Sequence, residues 1–503
     1  MRQGFLPPAG IVSDDTTFST PGYYADGSNV RFFRGKPQVI GGWSKYHATA
    51  LTGTCRAALA WYDLDVYTNV AFGTNSKLQV LVSGELFDIT PTGLSAGTVD
   101  SVPGAGYGAG SYGRDGYGDP AVADYYLRTW SLANWGENLL AAPRGGKLYI
   151  WANNTAVVAS EVTQAPDQIT AMVVTPSRQV MALGTNEEVS TTYNPLCVRF
   201  SDVEDYTDWT TSSSNLAGEV ILEGAGRIIG AKMMGDYLGV WTDTSVYLGQ
   251  FTGDYTQPWR FDLVSKNCGL ISPNAVAVFN QVAFWISPDG MFYSWQVGSP
   301  PAPMNCPIRT DFNDNLVRAQ TDKIVAVTNG QWGEVWWFYP DARDGTENSR
   351  YVACNVTDGA WFRGELARTA AIDAGPLSDP LWVSADSYAY SHETGSSADG
   401  GAISGFIETS DQYLGEAENW MMVKGIWPDF ESQTGPVTLY VYGRPYPQAD
   451  RSTYGPYTLA PNVSKKDFMA QMRLAAFRLE FNSSPSYWRL GKPSFDVVPT
   501  GQQ

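Results

Sequence analysis

Charge, histidine and clustered cysteine are all scarce in this 503-residue chain. Only 17% of the residues are charged, and bases are the minority: 33 Lys and Arg against 51 Asp and Glu, a formal net charge of −18. A surface of that sign does not hold phosphate backbones by counterion release, which argues against ordinary nucleic-acid binding. Its plain use is to keep a large protein soluble; a sharper use is a surface that DNA passes without sticking. Two histidines, His47 and His392, leave little material for a zinc site or a Ser/His/Asp triad. The cysteines (Cys55, Cys197, Cys268, Cys306 and Cys354) are odd in number, far apart and without a C-x-x-C pair. Free thiols point to assembly in a reducing cytoplasm. No apolar run approaches the ~18 residues of a membrane span. The opening MRQGFLPPAG carries no apolar core of a signal peptide.

Helical periodicity is scarce too. The best candidate is Lys465–Met472, with Ser464 as a cap, and the Arg473–Phe481 run after it alternates like a strand. What is abundant is aromatic residues and glycine: 18 Trp, 28 Tyr and 51 Gly. Aromatics suit half-buried pleated surfaces and glycine suits turns, so the chain reads as β-rich.

Short aromatic strands recur after turns. They are Ser83–Thr90, Gly145–Trp151, Thr244–Phe251, Asp289–Trp295 and Asp386–His392, with related units Cys197–Asp202 and Tyr351–Val356. Several have an apolar partner strand upstream, as Tyr237–Trp241, Val282–Ile286 and Glu334–Phe338. Asp289-Gly290 supplies a hairpin turn. Seven units between about 55 and 395 are spaced by roughly one propeller blade. A four-stranded blade cannot bury both its faces alone, and radial stacking solves this.

The predicted fold is therefore all-β: a β-propeller of six to eight irregular blades over 46–395, with an additional C-terminal antiparallel β-sandwich over 396–503. Residues 1–45 read as an N-terminal arm with a few strands. Glu393–Gly401 (ETGSSADGG) reads as a flexible linker. Beyond it, Ile403–Thr409, Trp420–Trp427, Val437–Tyr442, Phe477–Phe481 and Phe495–Val498 supply alternating strands.

Residues 104–119, GAGYGAGSYGRDGYGD, contain a formal G-x-G-x-x-G at Gly108–Gly113. A dinucleotide site needs an apolar strand before the glycines and a helix after them. Here Thr98–Pro103 precedes them and Gly116–Pro120 follows, so neither is supplied. The stretch reads as a long surface loop between two early blades. Its glycines make shape change easy, and Gly104, Tyr107, Tyr112, Arg114 and Tyr117 are candidate contacts to a partner or channel.

Other chemistry is outweighed by structural roles. Ser287–Trp295 resembles the Asp box of sialidase-type propellers, with the glycine misplaced, and Asp boxes are turns. Asp202, Glu204, Asp205 and Asp208 in SDVEDYTDW suit a turn-rich loop better than a glycosidase carboxylate pair. Trp332, Trp336, Trp337 and Phe338 suit blade core better than a sugar platform. No catalytic residue, metal or cofactor is expected.

Two stretches carry a resemblance. One is Gly10–Phe18 with Pro21–Trp43 (PGYYADGSNVRFFRGKPQVIGGW); the other is Trp488–Gly501 (WRLGKPSFDVVPTG). Together they resemble virion proteins of tailed bacteriophages, and SDVEDYTDW is similar to propeller units of tail hub or nozzle proteins of short-tailed phages. The resemblance implies a ring of six identical subunits below a head-to-tail adaptor protein, assembled in the host cytoplasm and carried in the virion tail. It would touch tail fibre or tail needle proteins, retain double-stranded DNA without reading its sequence, and open for ejection. In that setting residues 104–119 would project toward a neighbouring subunit, the channel or the distal tip. Two alternatives are a tail-attached receptor-binding or glycan-depolymerising propeller, and a stopper or distal hub of a long-tailed phage.

Overall fold

The computed structural model describes residues 2–19, 22–102, 126–224, 226–415 and 419–502. Antiparallel strands dominate, and the helical segments among these residues are Arg309–Asn315 and the 3-10 turn Arg318–Lys323.

Seven four-stranded antiparallel sheets follow one another, spanning 55–88, 130–161, 169–221, 228–266, 276–303, 325–365 and 370–392. We number them blades 1 to 7. In the first six, the strands pair in chain order, so successive hairpins run from the innermost strand outward, and the first three strands of blade 7 do the same. Each innermost strand lies beside that of the next blade, and Ala370–Ile372 of blade 7 lies beside Cys55–Tyr62 of blade 1, closing the circle. The chain is a seven-bladed β-propeller.

Blade 7 has three strands of its own. Its fourth is Trp43–Lys45, which pairs with Ala389–His392 through Trp43↔His392 and Tyr390↔Lys45. An N-terminal strand thus seals the ring where an open edge would otherwise expose unpaired backbone. Six of the seven recurrent sequence units fall on third strands, and Ser83–Thr90 falls on the fourth strand of blade 1. Aromatic contacts join the blades. Trp241 meets Trp285 at 5.6 Å, Phe292 meets Trp337 at 5.1 Å, and Trp336 meets Trp382 at 5.2 Å.

The remaining strands build the sandwich region. One sheet is Arg2–Gly4, Ser494–Gln502, Asn419–Trp427 and Lys466–Met472. A facing sheet is Tyr24–Ser28, Ile403–Thr409, Leu474–Ser483, Val437–Arg444 and Ser452–Leu459, with Gln412–Tyr413 beside Leu474–Ser483. Their rings interleave: Phe477 stacks on Phe495 at 3.9 Å and Tyr457 on Phe468 at 4.5 Å. A third sheet joins Val30–Phe33, Lys36–Val39, Tyr487–Leu490 and Phe430–Thr434. No sheet of the described residues is made from 1–45 alone; that stretch is shared among these three sheets and blade 7. One buried apolar cluster runs without a break from blades 4–7 into the sandwich.

Two local expectations are corrected. Lys466–Met472 is a strand, not a helix: Phe468, Ala470 and Met472 face inward and Asp467, Met469 and Gln471 outward, a period of two. Residues 393–401 do not behave as a free linker. Gly42 N–H donates to Gly395 O, Trp43 N–H to Ser397 O, and Asp399 N–H to Trp43 O. The glycines and serines there let the backbone lie flat against residues 42–43, as the contact of Gly42 with the Ser397 backbone requires.

Candidate functional site: the axial bore and its mouths

The innermost strands all begin on one face of the propeller, called here the entry face. Blade 1 ends at Asp88, and the chain then makes its long excursion before blade 2 begins at Trp130. Residues 103–125 lie outside the described residues, so Gly104, Tyr107, Tyr112, Arg114 and Tyr117 are not located, and neither is the glycine fingerprint. The two ends of the excursion are located, and both are tied down on the entry face.

On the outgoing end, Arg56 Nη2 donates to Val99 O at 3.2 Å. Lys323 Nζ pairs with Asp100 at 2.5 Å. Ser101 and Gln320 bond reciprocally, at 3.0 and 2.9 Å. On the returning end, Arg128 N–H donates to Thr98 O at 3.1 Å. The Tyr126 ring lies under the guanidinium groups of Arg144 (4.4 Å) and Arg227 (4.8 Å). The excursion is therefore rooted on blades 1 and 2, on Arg227 just before blade 4, and on the 3-10 turn Arg318–Lys323 that leads into blade 6. Arg56 also holds Glu347 through two hydrogen bonds of 2.8 and 2.7 Å. Burial by itself would lift the Glu347 carboxyl, but Arg56, with Lys323 behind it, holds it below its ordinary range.

Inside the ring lies a cavity of about 780 Å³, walled by the innermost strands of all seven blades. Most of the wall is small or apolar: Ala57, Ala58, Ala133, Val173, Ala326 and Ala371. The charged wall residues are Arg56, Arg178 and Lys232, and no carboxylate is among the described residues that line it. Such a volume suits a small molecule.

A third feature joins the propeller to the sandwich. Arg31, on Val30–Phe33, is wholly buried. Its two terminal nitrogens grip Glu393 at 2.8 and 2.5 Å, and Nε lies 3.3 Å from Glu334 on blade 6. Glu393 also accepts from Asn329 (3.0 Å) and Trp332 (2.9 Å), and Glu334 accepts from Trp336 (2.9 Å). Desolvation would lower the charge affinity of Arg31, but Glu334 and Glu393 more than offset this and hold the guanidinium charged. Desolvation, joined by repulsion from Glu393, pushes Glu334 up to about 7 against the opposing pull of Arg31 and of the Trp336 hydrogen bond.

The remaining candidates fill structural positions. Asp202, Asp205 and Asp208 accept backbone N–H groups from Leu216, Thr207 and Thr210. Their neighbour Trp209 is buried, donating to Tyr206 O. Ser287–Met291 forms the hairpin turn between the second and third strands of blade 5. Trp336, Trp337 and Phe338 are buried core, and Trp332 packs edge-on against Phe33. His392 stacks on Trp382 at 4.0 Å and accepts a hydrogen bond from Arg368, while His47 bonds near Gly84 O. All five cysteines are buried and unpaired. Among the described residues no group of three or more His, Cys, Asp and Glu is placed to hold a metal, and no helix is long and apolar enough to cross a membrane.

Sequence reading did not single out Arg31, Glu334, Glu393 or Lys232. Arg31 lies within Pro21–Trp43, yet nothing local signals a pairing across 362 positions.

No protein-family model and no curated protein matches the sequence. Among solved structures, the computationally designed Ika8 protein aligns with a TM-score of 0.38 at 12% identity, covering 76% of this chain and 99% of that one. BBS1N, solved in complex with ARL6DN, aligns at 0.40 and 9%, covering 70% and 97%. Hsv2 of Kluyvelomyces marxianus aligns at 0.32 and 10%, covering 51% and 68%. The propeller assignment rests on the sheet order, not on these distant likenesses.

Proposed function

We propose that this chain is a structural subunit of a bacteriophage tail, assembling into a ring that forms a nozzle or hub. The ring, six-fold in this reading, docks below a head-to-tail adaptor protein, retains packaged double-stranded DNA and opens at ejection. Tail fibre or tail needle proteins attach to it, and it assembles in the host cytoplasm.

One observation carries the reading beyond sequence resemblance alone. The two stretches that resemble phage virion proteins, about 450 residues apart, meet in one sheet, where Lys36–Val39 lies beside Tyr487–Leu490. Gln38 pairs with Arg489, and Arg489 Nε donates to Gln38 Oε1 at 2.7 Å. The buried Arg31 clasp then fastens that sheet to Glu334 of blade 6 and to Glu393, the residue that follows blade 7. A propeller and sandwich locked in this way suit a part that must bear load without changing shape. The propeller's own cavity is of small-molecule size, so the conduit in this reading is the space enclosed by the ring of subunits. The net charge of −18 suits a wall that offers DNA few lasting phosphate contacts.

The test is the mass of the assembled protein in solution together with activity on host-surface polysaccharide. A closed ring of six without glycan cleavage is the expected result. A trimer that cleaves polysaccharide would replace this reading with that of a depolymerase.

A further inference from the structure

Lys232 stands near the middle of Ile228–Met234, the innermost strand of blade 4, and its side chain reaches water inside the axial cavity. It has no hydrogen-bond or ion-pair partner among the described residues. Arg178 sits on the same cavity wall, in the turn between the first two strands of blade 3, away from the entry face. Its guanidinium lies 5.1 Å above the ring of Trp135, the last residue of blade 2's innermost strand, and it too has no carboxylate partner among the described residues. The third cation of the wall, Arg56, is neutralised by Glu347.

This arrangement runs against the rest of the molecule. Acids outnumber bases 51 to 33, yet the described cavity wall has cations and no acid. A surface lysine is indifferent to a missing partner, because bulk water solvates it. Lys232 is enclosed by seven strands, and desolvation draws its ammonium below the ordinary lysine range. An anion entering from solution would relieve that penalty. It would be held more strongly there than at the surface, because salt and water screen the pair less.

We propose that the half of the bore away from the entry face binds a small oxyanion, phosphate- or carboxylate-bearing, with Lys232 as its main counter-charge and Arg178 as the second. The cavity is of a size to enclose a small metabolite and too small for a polymer. The binding does not depend on the ring reading given above.

Two measurements test it. First, thermal unfolding is followed at constant ionic strength while inorganic phosphate, pyrophosphate or citrate is titrated. The wild type is stabilised in a saturable way, Lys232→Met weakens the apparent affinity about tenfold or more, and the exposed-site control Lys424→Met leaves it unchanged. Saturable stabilisation by phosphate or pyrophosphate alone assigns a phosphate ligand, and by citrate alone a carboxylate one. Second, pyridoxal 5′-phosphate is added and the imine reduced with borohydride. The Lys232 amine condenses with the aldehyde, releasing water, and hydride adds to the imine carbon. Peptide mapping then finds Lys232 modified ahead of the other lysines, and inorganic phosphate protects it. Equal stabilisation of the wild type and Lys232→Met, or labelling of Lys232 no faster than surface lysines and unaffected by phosphate, overturns the proposal.

Discussion

The residue with the largest structural burden is Arg31. It is fully buried, touches two carboxylates, and lies 4.6 Å over the ring of Trp332. Removing one member of a buried ion cluster leaves the others charged and unpaired, which costs about 3–5 kcal/mol. Arg31→Met should therefore lower the unfolding free energy by that amount in urea titration, and a loss under about 1 kcal/mol would show that water replaces the guanidinium. Glu334 gives a second test. Its folded-state pKa, about 7, lies above the ordinary carboxylate value, so the folded state binds the proton more tightly than the unfolded state does. Stability from this group is fully present below pH ~4.5 and is lost as pH rises toward 7. At about 1.4 kcal/mol per unit, the loss is of the order of 3 kcal/mol. Glu334→Gln should flatten that part of the stability profile, and an unchanged slope between pH 4.5 and 7 would rule Glu334 out as its source.

At the scale of elements, the seam between blade 6 and the sandwich depends on a close approach of backbones. Gly364 lies on Ala360–Glu365, the outer strand of blade 6, where a Cβ would sit 2.2 Å from Asn29 Oδ1 and 2.6 Å from the Tyr351 hydroxyl. Those two polar atoms are 3.3 Å apart and buried, so neither can swing away cheaply. Gly364→Ala should destabilise the protein by about 1–3 kcal/mol by overpacking, read as a lower urea midpoint at unchanged m-value. A neutral effect would mean that Val30–Phe33 can shift outward without loss. The neighbouring Asn29 has φ +57°, a conformation asparagine tolerates better than most side chains, which brings its side chain to this seam. The strand Trp43–Lys45 shows the same economy of construction, since three residues complete a blade that the rest of the chain leaves one strand short.

At the scale of the whole molecule, propeller and sandwich share a buried apolar cluster, and the segment between them is hydrogen-bonded along its length. Ser486 N–H donates to Ser396 O, and the Ser484 hydroxyl to Gly400 O. Two bodies joined by a free tether would unfold separately, whereas these should melt in one transition. Limited digestion with subtilisin should spare residues 393–401 under native conditions. Early cleavage there, with an intact propeller left behind, would separate the two as independent bodies.

The sequence by itself determined the repeating unit. Strand, turn and aromatic strand are local features, fixed by alternation and by Gly, Asp and Ser at the turns, so the blades from 55 to 392 were legible in it, with their number bounded to six to eight. Lys466–Met472 (KDFMAQM) satisfies a helical pattern as readily as a strand over only seven residues, and only the facing sheet selects the period. Tertiary structure decided the closure. Which strand completes blade 7, which carboxylates Arg31 holds, and which lysine is left alone in the bore depend on contacts between residues hundreds of positions apart. Composition made 393–401 look loose, yet pairing with residues 42–43 fixes it. Local preference belongs to a few neighbouring residues, whereas closure belongs to both ends of the chain at once.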